Sequence, residues 1–132
     1  MTAVLAHRAG DDMRNMSFAL TTDQIRDQTK TVTRRRGWLN LKAGDMVLPV
    51  KKCMGLKPGE KFEPLRGPLR VVSVRRESLW EMWLDPEYGD AECKREGFPN
   101  MTPLDFIDMF CASNKGCTRG SVVTRIEFEY VA

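Results

Sequence analysis

Histidine is nearly missing from this chain of 132 residues: His7, close to the start, is the only one. No cysteine in the body of the sequence therefore has an imidazole to activate it as a nucleophile. Cysteine itself is sparse, and Cys53, Cys93, Cys111 and Cys117 include no CxxC spacing. A structural zinc centre draws four soft ligands, usually in two short-spaced pairs, so the pattern predicts no metal and no cofactor. Unpaired thiols suit a reducing, cytoplasmic compartment. Long apolar runs are absent too. Nothing approaches the ~18 residues that cross a bilayer, and the short opening stretch Met1 to Ala6 lacks the basic lead of a secretory signal. A membrane partner is not expected. There is no internal repeat and no low-complexity tract. What remains is 42% hydrophobic and 30% charged residues, an ordinary globular mixture long enough for one domain.

Charge is distributed unevenly. Residues 24–76 hold fourteen Lys and Arg against four Asp and Glu, a local net of +10. Residues 77–110 reverse this, with two against nine and a net of −7. A basic cleft with an acidic rim suits a nucleotide or nucleic acid. The other reading is that the two stretches pair with each other.

Residues 1–15 show no sustained periodicity and read as a flexible arm before a domain over residues 16–132. Met16 to Leu20 alternates as a first strand, and Thr21-Thr22-Asp23 opens a short helix over Gln24 to Gln28. The β-branched and basic run Thr29 to Arg36 predicts an extended segment. Strands follow at Met46–Val50, Leu69–Glu77 (largely buried) and Val122–Val131, with a loop over Gly55–Gly67. Leu79, Trp80 and Trp83 suggest a short helix anchored in the core by its tryptophans, broken by Pro86 to Gly89. Asp90 to Glu96 reads as a further helical turn stopped by Gly97. Thr102-Pro103 caps a helix whose stripe Leu104, Phe106, Ile107 and Phe110 is core. This order predicts an α+β domain, a small β-barrel with short peripheral helices.

Several ordered segments carry a resemblance. These are Lys30-Thr31-Val32-Thr33-Arg34-Arg35, the Gly44-Asp45 strand entry, the Val-rich strand after Pro68, Glu96-Gly97-Phe98 with its following helix, and Val123 to Phe128. Together they resemble the ASCH domains, within the PUA-like group, over about residues 16–131. That resemblance implies a PUA-like barrel with an RNA- or nucleotide-facing cleft beneath the first helix. One bacterial branch of the family consists of N4-acetylcytidine amidohydrolases that use a lysine, a threonine and a glutamate; on the matching motifs these fall on Lys30, Thr33 and Glu96. Other members are RNA-binding proteins or ribonucleases. Two departures stand out: Gln28-Thr29 replaces a glycine common before the lysine, and the Cys53–Gly67 and Trp80–Tyr88 segments are longer than in the amidohydrolase branch.

Chemistry gives these side chains two readings. A threonine nucleophile needs a neutral amine to take its proton, so Lys30 would have to be depressed by burial or by cations such as Arg34, Arg35 and Arg36. Glu96 would orient that amine or protonate a leaving amine. Alternatively Lys30 and Glu96 are an ordinary ion pair and Thr33 a strand residue. A fully extended backbone puts Lys30 and Thr33 on opposite faces, whereas a bend brings them together. Arg34, Arg35 and Arg36 are candidates to clamp phosphate, or two of the three are solvated surface and one faces the ligand, Arg35 being the one in the family's arginine place. Trp38 either stacks a base or is partly buried core. Three functions remain in view: binding of RNA or a modified nucleoside or nucleotide, amidohydrolysis or RNA cleavage, and a non-catalytic regulatory role, phage-borne or otherwise.

Overall fold

The computed structural model describes residues 13–52 and 57–131, so residues 1–12 of the expected arm over 1–15, His7 among them, and Cys53 lie outside the described residues, while Arg14 and Asn15 of that arm belong to the first strand. Strand β1 (Arg14–Ser17) runs through a 3-10 turn (Ala19–Thr21) into helix α1 (Thr22–Arg26). Strands β2 (Val32–Arg35), β3 (Met46–Val50) and β4 (Leu69–Ser78) follow. Helices α2 (Trp80–Leu84), α3 (Pro86–Glu96) and α4 (Pro103–Ala112) come before the last strand, β5 (Val122–Tyr130). The five strands form one mixed sheet in the order β1-β3-β4-β5-β2, in which only β1 and β3 are parallel.

The α+β class holds, but the sheet is not a closed barrel. Strands β1 and β2 are its two edges, and no ladder joins them among the described residues. Each edge is four residues long. The chain leaves β1 into the 3-10 turn at once, which ends any further pairing. A side chain links the edges instead: Arg35 of β2 donates from Nη2 to the Ser17 carbonyl of β1 at 2.6 Å.

Two apolar clusters hold the layers. Met16, Phe18, Ile25, Val47, Leu69 and Phe128 belong to one, on the side of α1. Leu79, Met82, Phe106, Ile107 and Val123 belong to the other, beneath α2 and α4. The tryptophans do not anchor α2. Trp83 is 51% exposed, while Leu79 and Met82 take the buried positions. Leu79 stands just before the helix, and Met82 is the residue of the helix itself that is buried. Strand β4 is only half buried, because Val72, Arg75 and Arg76 face outward.

The segment Pro86 to Gly89 is the first turn of α3 rather than a break. Asp85 caps it, its Oδ1 accepting from the Tyr88 amide at 3.2 Å, and Pro86 occupies the first helical position, where its missing N–H costs nothing. Gly89 lets α3 lie close on α2: a Cβ there would stand 2.0 Å from the Met82 carbonyl oxygen. Helix α4 starts as expected, with Thr102 Oγ1 accepting from the Asp105 amide at 3.1 Å. Among the described residues no helix is long and apolar enough to cross a membrane.

Candidate functional site

Lys30 lies in a bend between α1 and β2, not in the strand. Gln28 adopts a positive φ of 65°, which turns the chain out of α1. Three bonds then fix the bend: the Tyr130 hydroxyl donates to the Lys30 carbonyl at 2.6 Å, the Thr31 amide donates to Arg95 O at 2.8 Å, and Thr31 O accepts from the Phe128 amide at 2.9 Å. The amine is thereby carried inward to 2% exposure. It donates to Glu96 Oε1 at 2.7 Å and to the Glu96 carbonyl at 2.8 Å. Burial lowers the Lys30 pKa; the Glu96 carboxylate works against that, while Arg35 and Arg34 add to it.

Glu96 is the last residue of α3, and Gly97 ends the helix with φ +98°. A Cβ at Gly97 would meet Gln24 Cγ at 2.8 Å, and Gln24 Nε2 donates to the Gly97 carbonyl at 3.2 Å. Helix α1 is thus seated directly on the turn that presents Glu96. The second carboxylate oxygen, Oε2, accepts from Arg34 Nη1 at 3.0 Å.

Arg34 is the hub of a buried ionic network. Its Nη2 also donates to Glu77 at 2.8 Å, Glu92 at 2.5 Å and the Tyr88 hydroxyl at 3.3 Å. Arg125, opposite Arg34 in the β2–β5 ladder, holds Glu92 through Nε at 2.6 Å and Nη2 at 3.0 Å. Burial alone would raise the Glu92 carboxyl, but the bonds from Arg125 and Arg34 outweigh it and hold it at about 2. Burial and the bond to Glu77 push the Tyr88 phenol up to about 12. Lys30, Arg34 and Arg125 face Glu77, Glu92 and Glu96, so three buried cations meet three buried carboxylates. The basic and acidic stretches of the sequence pair here inside the molecule.

Beside this network is a cavity of about 410 Å³. It is lined by Lys30, Thr33, Arg34, Arg35 and Glu96, by Ser17 at the end of β1 and Phe18 just after it, and by Phe98, Phe106, Met109, Phe110, Ser113 and Asn114. Thr33 Oγ1 accepts from Arg35 Nε at 3.1 Å, and the Arg35 guanidinium lies 4.8 Å over the Phe18 ring.

The structure therefore brings Lys30, Thr33, Glu96, Arg34 and Arg35 to one cavity and leaves Arg36 and Trp38 off its walls. Arg34 has no exposed side-chain surface, and its Nη1 and Nη2 are engaged by the protein's own carboxylates. Arg36 is exposed. Trp38, at φ +62°, packs against the first apolar cluster with the Arg14 guanidinium 4.0 Å over its ring. Sequence reasoning missed Glu77, Tyr88, Glu92 and Arg125. One signal was present: Tyr88, Glu92 and Glu96 recur every four residues, and two acids at that spacing repel unless a cation lies between them. The aromatic stripe of α4 also does more than fill core, since Phe106 and Phe110 line the cavity. Among the described residues no group of three or more His, Cys, Asp or Glu is placed to hold a metal ion.

An open mixed sheet with α3 and α4 packed beside β2 and β5, and a cavity where the bend before β2 meets the end of α3, is an ASCH-like fold. Solved structures bear this out. Two variants of the ZmASCH protein from Zymomonas mobilis match with TM-scores of 0.52 and 0.51 at 14% identity, covering 89% of this chain and 68% and 66% of theirs. The EF3133 protein from Enterococcus faecalis, of the DUF984 family, matches with a TM-score of 0.53 at 12% identity, over 89% of this chain and 78% of that one. At such identities the likeness is one of fold. No family model matches the chain, and no curated protein does.

Proposed function

We propose that the cavity binds the base of a nucleoside or of single-stranded RNA. The observation that carries this reading is that polar groups able to read a base edge (the Lys30 amine, the Thr33 hydroxyl and the Arg35 guanidinium) share one cavity with a wall of Phe98, Phe106 and Phe110. Aromatic faces stack on bases at about 1–3 kcal/mol each. A volume of about 410 Å³ suits a base with its sugar and is too small for a folded duplex. Isothermal titration of the protein with cytidine, N4-acetylcytidine and a short single-stranded RNA tests it. Saturable binding that weakens tenfold or more in Arg35→Ala supports the reading, and no heat at millimolar ligand sinks it.

A specific observation favours a second reading, amidohydrolysis. The buried Lys30 amine has a lowered pKa and shares the cavity with the Thr33 hydroxyl. In its neutral form it would take the hydroxyl proton as Thr33 Oγ1 attacks the acyl carbon of an N4-acylcytidine. The C–N bond then breaks, the exocyclic amine leaves with a proton, and water releases the acyl group from Thr33. Acetate release from N4-acetylcytidine that disappears in Thr33→Val would establish it; release that survives Thr33→Val would exclude Thr33 as the nucleophile.

A further inference from the structure

Two thiols that play no part in the site lie against each other. Cys111 stands one residue before the end of α4, and Cys117 lies in the loop that returns the chain to β5. Their sulfurs are 3.0 Å apart. We propose that Cys111 and Cys117 form a reversible disulfide that staples this loop to the helix end forming one wall of the cavity.

The backbone is already folded for the bond. The Asn114 amide donates to Cys111 O at 3.2 Å, the Cys117 amide donates to Asn114 O at 3.0 Å, and Asn114 Nδ2 donates to Phe110 O at 2.8 Å. A disulfide is about 2.05 Å long, so the sulfurs need to close by about 1 Å. Both side chains are half-buried, within reach of a small oxidant. Cys93 is no competitor: it is buried in the second apolar cluster, and burial pushes its thiol up to about 11. No metal-binding cluster among the described residues claims either sulfur.

The oxidant is a small organic disulfide of the glutathione type. One cysteine attacks it as thiolate, forming a mixed disulfide and expelling one organic thiolate. The other cysteine, as thiolate, then attacks the protein sulfur of that mixed disulfide and expels the second organic thiolate. Two protein thiols are oxidised and one organic disulfide is reduced to two thiols. Burial and the neighbouring Cys117 thiol push the Cys111 thiol up.

The staple bears on the cavity because Phe110, Ser113 and Asn114, which line it, belong to the same turn. This consequence rests on the nucleobase reading; the disulfide itself does not. The test treats the full chain with oxidised glutathione. An intact mass lower by two hydrogens, titratable thiols falling from four to two, and a peptide map joining residues 111 and 117 support the proposal. Four surviving thiols, or a link through Cys53 or Cys93, overturn it. Cys111→Ser should stop at a stable glutathione adduct on Cys117, and loss of two hydrogens in that variant would also overturn it. Cytidine titrated into the reduced and oxidised forms should differ in affinity by threefold or more. Equal affinity removes the coupling to the cavity, whereas no binding in either form counts against the nucleobase reading and leaves the mass result standing.

Discussion

Glu96 shows how much one side chain can hold together. One of its oxygens takes the Lys30 amine and the other takes Arg34, all three groups being buried. Removing the charge of one partner in such a cluster leaves the others uncompensated where water cannot reach them, which typically costs about 3–5 kcal/mol. Glu96→Gln should therefore lower the free energy of unfolding by that amount in a urea titration. Lys30→Met should cost clearly less, because Glu96 keeps Arg34 and the methionine stem fills the lysine's path. Equal losses in the two variants would mean that Arg34 does not hold Glu96 on its own. Lys30 and Glu96 were legible as a candidate pair because their motifs resemble a known arrangement. The sequence makes Arg34, Arg35 and Arg36 alike candidates to clamp phosphate, since nothing in a run of three arginines tells which one points inward. Strand alternation decides it: Thr33 and Arg35 share one face of β2, and Arg34 takes the other, towards α3.

Helix α3 is the element that builds the network, since it presents Glu92 and Glu96 one turn apart to β2 and β5. Its two ends are held differently. At the N-terminus Asp85 accepts from Tyr88, and Asp85→Ala should cost about 1 kcal/mol in thermal unfolding, as loss of a cap does. At the C-terminus Gly97 combines a left-handed backbone with contact against Gln24. Gly97→Ala should cost more, about 1–3 kcal/mol for the strain alone, and should also weaken cytidine binding, because the Glu96 turn must move. If the Asp85 and Gly97 variants melt alike, the Gln24 contact carries no weight. The C-terminal stop was legible, since glycine after a helical run has a single common use. The start was not. Proline both breaks helices and opens them, and only the Asp85 bond to the Tyr88 amide distinguishes the two cases here.

Across the whole molecule, the basic and acidic halves meet chiefly in the interior. This arrangement makes a prediction about acid. Glu92 is held at about 2 against an ordinary value of 4.5, and Glu77 is also lowered, because hydrogen bonds and charge from Arg34, with Arg125 on Glu92 and Tyr88 on Glu77, exceed the cost of burial. A carboxyl depressed in the folded state adds stability above its unfolded value, and that stability is lost as pH falls towards the folded one. Melting temperatures should thus hold steady down to about pH 4.5 and fall steeply towards pH 2. Buried pairs are screened little by salt, so raising the ionic strength should not flatten the drop. A flat profile between pH 4.5 and 2.5 would contradict the network.

Alternating and helical apolar patterns, turn residues and caps are local, and they determined the α+β class, most strand positions and the helix over residues 103–112 without reference to anything distant. Pairing across the chain is not local. Whether β1 and β2 would meet to close a barrel, which of three arginines would turn inward, and that Arg125 would bind Glu92 all depend on how the sheet curls and on which strands become neighbours. Charge adds a further reason. Sequence shows where charged residues are but not which are removed from water, and desolvation makes a cation and a carboxylate seek each other at close range.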